Sequence, residues 1–149
     1  MNLGKNKKES KKEKYTLRVA EGEDYYRTMM VNETLKNFNK KHLYVWFLYI
    51  SIDIKDKTEK FNLPTNDEAL ILNSIEDNFE TLINSTVSYK YIGRITNNGK
   101  RDIYYYIAEP KEIYKELIQI IESGTYIREF EFSISEDPCW EEVNFFFDY

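Results

Sequence analysis

His42 is the one histidine of the chain and Cys139 its one cysteine, so imidazole or thiol chemistry has a single candidate of each kind. A general base needs an orienting partner and a nucleophile or substrate within reach. His42 follows Lys40-Lys41 and precedes an apolar run, with no Ser or Cys motif beside it, and reads as a surface or hydrogen-bonded residue. A reactive thiol needs a nearby cation or a helix N-terminus, whereas Cys139 lies among Glu136, Asp137, Glu141 and Glu142 and reads as inert. Those four carboxylates, with Glu21, Glu23 and Asp24, lack the ligand spacing and turn glycine of a calcium loop. They read as a solvated acidic rim, with docking of a basic protein as its functional use. One Cys and one His build neither a zinc cage nor an internal disulfide. With only five glycines and no phosphate loop, dinucleotide fingerprint or nucleophile elbow, no catalytic residue, cofactor or metal is expected. An enzyme built from scattered side chains would have to move its protons with His42, Asp137 and Glu141.

Aromatic rings are the other chemical resource, with 13 Tyr and 9 Phe in 149 residues. Tyr104 and Tyr106 alternate on a segment that reads as a strand. Open aromatics at such positions stack on bases in RNA-binding sheets, anchor protein partners, or pack in the core. Charge bears on that choice. Residues 1–14 carry six lysines against Glu9 and Glu13, net +4, and the other 135 residues carry 15 basic and 24 acidic side chains, net −9. A body this acidic repels phosphate backbones, which argues against nucleic acid as its partner. The arm has no apolar face to bury and is expected to be disordered, which leaves one domain over 15–149. No apolar h-region follows the basic start, and the longest apolar run, 43–50, is too short to span a bilayer, so a cytoplasmic chain without membrane contact is expected.

The elements that must position these residues follow from periodicity and turn chemistry. Residues 15–20 and 25–31 read as short strands about a Glu-Gly-Glu-Asp turn, and Asn32 caps a helical turn through Phe38. The run 43–54, apolar on both faces, reads as a central strand. Thr65 and Glu68 form a capping box for a helix whose stripe is Leu72, Ile75, Phe79, Leu82 and Ile83. Asn98-Gly99 suits a two-residue hairpin turn between strands 88–96 and 101–108. Counting outward pairs Thr96 with Arg101, Arg94 with Ile103, Ile92 with Tyr105 and Tyr91 with Tyr106. One face then carries Ile92, Arg94, Ile103 and Tyr105, the other Tyr89, Tyr91, Gly93, Ile95, Tyr104 and Tyr106. Pro110 opens a second helix with stripe Ile113, Leu117, Ile120 and Ile121, closed by Gly124. Residues 126–135 alternate as a strand with one wet face, and 143–147 reads as an edge strand or a short returning turn. Trp140, after the Asp137-Pro138 break, is expected to pin that return onto the sheet.

The order strand, helix, hairpin, helix, strand is the split βαβ, ferredoxin-like arrangement: an α+β domain with an antiparallel sheet, two helices on one face and extra N-terminal strands. With that order in place, the segments Val31-Asn32-Glu33, 44–53, Gly93-Arg94-Ile95, 101–106 and Asp137-Pro138-Cys139-Trp140 resemble a small bacterial family, domain of unknown function 695. The resemblance implies a ferredoxin-like domain comparable with the protein regulator of ribonuclease E, and it implies no catalytic residue. Three functions stay open. The first is a non-catalytic protein-binding or regulatory module, ribonuclease-regulator-like or toxin-immunity-like, using Tyr104, Tyr106, Glu136, Asp137, Glu141 and Glu142. The second is RNA binding through the lysine arm and the Tyr104/Tyr106 face, and the third is an uncharacterised enzyme.

Overall fold

The computed structural model describes residues 13–148. Its strands are β1 (Tyr15–Glu21), β2 (Tyr26–Asn32), β3 (Trp46–Asp53), β4 (Tyr89–Asn97), β5 (Lys100–Ile107) and β6 (Phe130–Glu136). The helices are α1 (Asn66–Thr86), α2 (Lys111–Ser123) and the single turn α3 (Asn144–Phe147). All six strands form one sheet in the order β1-β2-β4-β5-β3-β6, and each neighbouring pair is antiparallel. The fold is therefore α+β. Of the arm expected over 1–14, only Glu13 and Lys14 lie within the described residues. The Lys14 N–H donates to Thr34 Oγ1 at 2.7 Å and its carbonyl accepts from the Glu33 N–H. No described helix is long and apolar enough to cross a membrane.

Alternation on β3 sorts its side chains to two cores. Leu48, Ile50 and Ile52 face α1 and α2, where they meet Leu72, Ile75, Phe79, Ile83, Ile113 and Leu117. Phe47 faces the other side, with Met29, Val31, Tyr106, Trp140, Val143 and Phe146. Both helices thus lie on one face, and the C-terminal segment covers part of the other. Helix α1 starts where the threonine cap predicts, with Thr65 Oγ1 accepting the Glu68 N–H at 3.3 Å. The other half of the box is not made. The Glu68 carboxylate turns inward to Arg128 and the Lys55 N–H, and the Thr65 N–H donates to Asp56 instead.

The hairpin register holds from Asn97/Lys100 to Gly93/Tyr104 and then slips by one residue at a bulge between Tyr91 and Gly93, so Tyr91 pairs with Tyr105 and Lys90 with Tyr106. Tyr91 joins Tyr105 on the helix face, and Ile92 moves to the opposite core, reversing the faces expected for both. Gly93 permits this. A Cβ there would collide with the Met30 carbonyl oxygen on β2 and come within 2.9 Å of the Phe146 ring.

Three boundaries also differ from the periodicity. A 3-10 turn, Lys41–Leu43, precedes β3, which starts at Trp46. Strand β6 starts at Phe130, because the residues before it carry Arg128 to Glu68. Of the two readings of 143–147, the short returning turn holds and the edge strand does not. The chain after Trp140 runs through a 3-10 turn, Glu141–Val143, into α3.

Candidate functional site

The acidic turn after β6 is built around Asp137. Its carboxylate accepts the Tyr106 hydroxyl at 2.6 Å and the N–H groups of Glu141 and Glu142 at 3.1 and 3.0 Å. Burial alone would raise the pKa of this carboxyl, but those three donors outweigh it and hold it below the ordinary range. Tyr106 is pushed up, by burial first and then by its bond to Asp137. The turn lets Trp140 adopt a left-handed backbone, φ 58°, and swing its ring under the sheet. There it stacks on Tyr106 with centroids 4.4 Å apart and on Phe38 at 5.5 Å, while Nε1 donates to the Tyr44 carbonyl at 2.7 Å. Of the expected rim, Glu136, Glu141 and Glu142 are exposed, whereas Asp137 is spent on this internal lock. Cys139 is exposed beside it as a free thiol, and His42 is exposed in the 3-10 turn before β3. Among the described residues, no group of three His, Cys, Asp or Glu side chains is arranged to hold a metal ion.

Tyr104 and Tyr106 do share a sheet face, but it is not an open platform. Tyr106 is fully buried beneath Trp140. Tyr104 is half-buried, flanked by Tyr49, Phe145 and Phe146 with centroids 4.9 to 6.0 Å away. Beyond α3 the same face opens into a shallow cavity of about 540 Å³ lined by Arg27, Asn97, Asn98, Lys100, Asp102 and Tyr104. The Ser51 hydroxyl donates to Asp102 at 2.6 Å and Lys100 Nζ to Asp53 at 2.5 Å, so the carboxylates here are paired within the fold.

Two ionic clusters join elements far apart in sequence. Glu76, buried on α1, accepts Arg94 at 2.8 Å and the Tyr91 hydroxyl at 2.9 Å, with Arg101 at 3.6 Å. Arg101 is itself buried and donates to Asn73 and Thr96. Burial, then the neighbouring Arg94 charge, lowers its pKa to about 10. Glu68, fully buried, takes a two-pronged pair from Arg128 at 2.7 and 2.8 Å. The oppositely charged partners are 18 to 60 residues apart, and local spacing carries no signal for them. Arg94 and Arg101, on two of the segments that carry the family resemblance, are thereby explained as structural. The buried Tyr105 hydroxyl has no hydrogen-bond partner among the described residues.

The two edges of the sheet differ sharply. Along β6 the wet face presents Glu131, Ser133 and Ser135, the polar cover that keeps an edge from pairing. Along β1 the exposed positions are Tyr15, Leu17 and Val19, with 51%, 61% and 52% of their surface in solvent, and then Glu21, and Tyr25 stands exposed beside the turn. That alternating pattern is visible in the sequence, but nothing local says that no helix among the described residues covers it.

No curated protein and no solved structure matches the chain. The model of the Family of unknown function (DUF695) matches residues 14–149, the whole sheet with its helices and the acidic turn, and the chain belongs to that family.

Proposed function

We propose that this chain is a non-catalytic, cytoplasmic protein-binding or regulatory module that takes an extended segment of a protein partner along the outer edge of β1, which no strand among the described residues pairs. The observation that carries the reading is the exposed apolar row Tyr15, Leu17 and Val19 on an edge strand, with a charge only at its end, Glu21. Soluble proteins guard such edges, as β6 is guarded here, because the unpaired N–H and C=O groups recruit another strand. An added strand would gain backbone hydrogen bonds and seat its alternate apolar side chains on the exposed row. The exposed Glu136, Glu141 and Glu142 would favour a partner with basic residues elsewhere on its surface. We further read β4-β5-β3-β6 as a ferredoxin-like unit extended by β1 and β2. Its support is the antiparallel order, in which α1 links β3 to β4 and α2 links β5 to β6.

The test is cross-linked capture from the source cells with wild type and with Leu17→Lys/Val19→Lys, both exposed sites where lysine leaves the core untouched. A protein bound by wild type and lost from the variant supports the reading. Equal recovery by both overturns it. A wild-type homodimer that the variant dissociates would identify the added strand as a second copy of β1.

A further inference from the structure

Residues 34–52 hold Lys36, Lys40, Lys41 and His42 and no acidic side chain, a basic island in an acidic protein. The fold sets part of this stretch against β4 and around the largest of the surface cavities described, about 610 Å³. Leu35, Phe38, Leu43 and Tyr44 form its apolar walls, and Lys40 and Lys90 stand among the lining residues. Lys90 Nζ lies 5.3 Å above the Phe38 ring and 5.4 Å above Tyr44, and Lys41 Nζ lies 5.7 Å above Trp140. Glu13 is the one carboxylate among the lining residues, and Asn32 donates to it at 3.3 Å. Lys14 is anchored through its N–H to Thr34 on the cavity wall, which adds a further lysine beside this island.

We propose that this cavity and its lysines form a site for single-stranded nucleic acid, with one base held between the apolar walls and the flanking phosphates on Lys14, Lys40, Lys41 and Lys90. Ammonium groups poised over aromatic rings place cations where a seated base would bring its own phosphates. A cavity within the roughly 300–1,000 Å³ of ordinary ligand clefts suits a nucleobase, whereas a flat membrane surface would leave it unfilled. The net charge of the body does not forbid this. The acidic turn folds back beside the site, with Trp140 stacked on Phe38 and lying under Lys41, but its Asp137 carboxylate is already engaged by the Tyr106 hydroxyl and the Glu141 and Glu142 N–H groups. The site is independent of the β1 edge, so either can fail without the other.

The test is fluorescence anisotropy of a labelled single-stranded RNA of about 12 nucleotides titrated with the full chain. Four neutralised phosphates predict a loss of about 50-fold in affinity between about 50 and 200 mM salt. Lys40→Glu/Lys41→Glu/Lys90→Glu should cost at least about tenfold at low salt. The exposed single variant Lys40→Glu should lose affinity severalfold with an unchanged melting curve, which separates the site from any unfolding of the triple variant. Absence of binding at low salt overturns the proposal, as does wild-type affinity in the triple variant. Equal affinity for an abasic strand or a duplex of the same length also overturns it, since neither offers a base to the cavity. Tighter binding to vesicles rich in anionic lipid would assign the lysines to a membrane instead.

Discussion

Trp140→Ala removes the side chain on which the C-terminal return depends. The indole is 1% exposed, stacked between Tyr106 and Phe38, and its Nε1 bond satisfies the Tyr44 carbonyl just before β3. Truncating a buried indole costs about 3–5 kcal/mol, and the abandoned carbonyl adds about 1 kcal/mol. Against the roughly 5–15 kcal/mol that stabilises a domain, this is a large fraction. For a chain of this length each kcal/mol moves the melting temperature by about 2–4 °C, so the variant should melt roughly 10–20 °C lower by circular dichroism. Trp140→Phe keeps most of the stacking and loses the N–H, and should lie between the two, about 1–2 kcal/mol below wild type. Because the only other tryptophan is Trp46, the fluorescence of the alanine variant reports the β3 start directly. A Trp140→Ala protein that melts within a few degrees of wild type would refute the claim that this ring clamps the C-terminus.

Arg128→Ala should cost about 3–5 kcal/mol in urea denaturation, because it strands the fully buried Glu68 carboxylate. Paired with Arg128, the Glu68 carboxyl is held below its ordinary value of 4.5, so its contribution is complete above that pH and is lost as pH falls through the lower folded value. Wild type should therefore lose stability on acidification below about pH 4.5, and an unchanged acid limb in Arg128→Ala would contradict the assignment. Gly93→Ala should destabilise by about 2 kcal/mol or more through its clash with the Met30 carbonyl, and hydrogen exchange should show β2 loosening from β4. A neutral effect there would mean that the bulge is not held by this close approach.

Local rules recovered what local physics decides. The Thr65 cap, the α1 and α2 stripes, the Gly124 terminator and the Asn98-Gly99 turn each depend on residues within a turn or two, and each stands as read except that Ile121, the last of the α2 stripe, is exposed. Period-two counting fails at Gly93 because an inserted residue looks like any other; only the approach of Met30 from a strand more than 60 positions earlier reveals it. The same distance hides the ion pairs. Glu68 sits where a capping box would use it, and what overrides the box is an arginine 60 residues later that the buried carboxylate needs, while the Thr65 N–H is served by the Asp56 carbonyl. Tyr106 was legible as a strand aromatic, but its fate was set by Trp140 and Asp137, beyond the next helix and strand.

The clamp and the proposed nucleic-acid cavity share a wall, and this decides how each must be tested. Phe38 stacks on Trp140 from one side and lines the cavity on the other, with Lys90 above it. Lys41 rests over the same indole. Removing Trp140 should therefore tilt Phe38 and disperse both ammonium groups, so that weaker RNA binding in Trp140→Ala would follow from lost packing whether or not the ring ever approaches a base. Lys40 escapes this coupling: it is exposed and lines the cavity without stacking on the clamp. A charge reversal there changes the field at the cavity and leaves the fold in place, so affinity that responds to Lys40 at constant melting temperature can arise only at the surface itself.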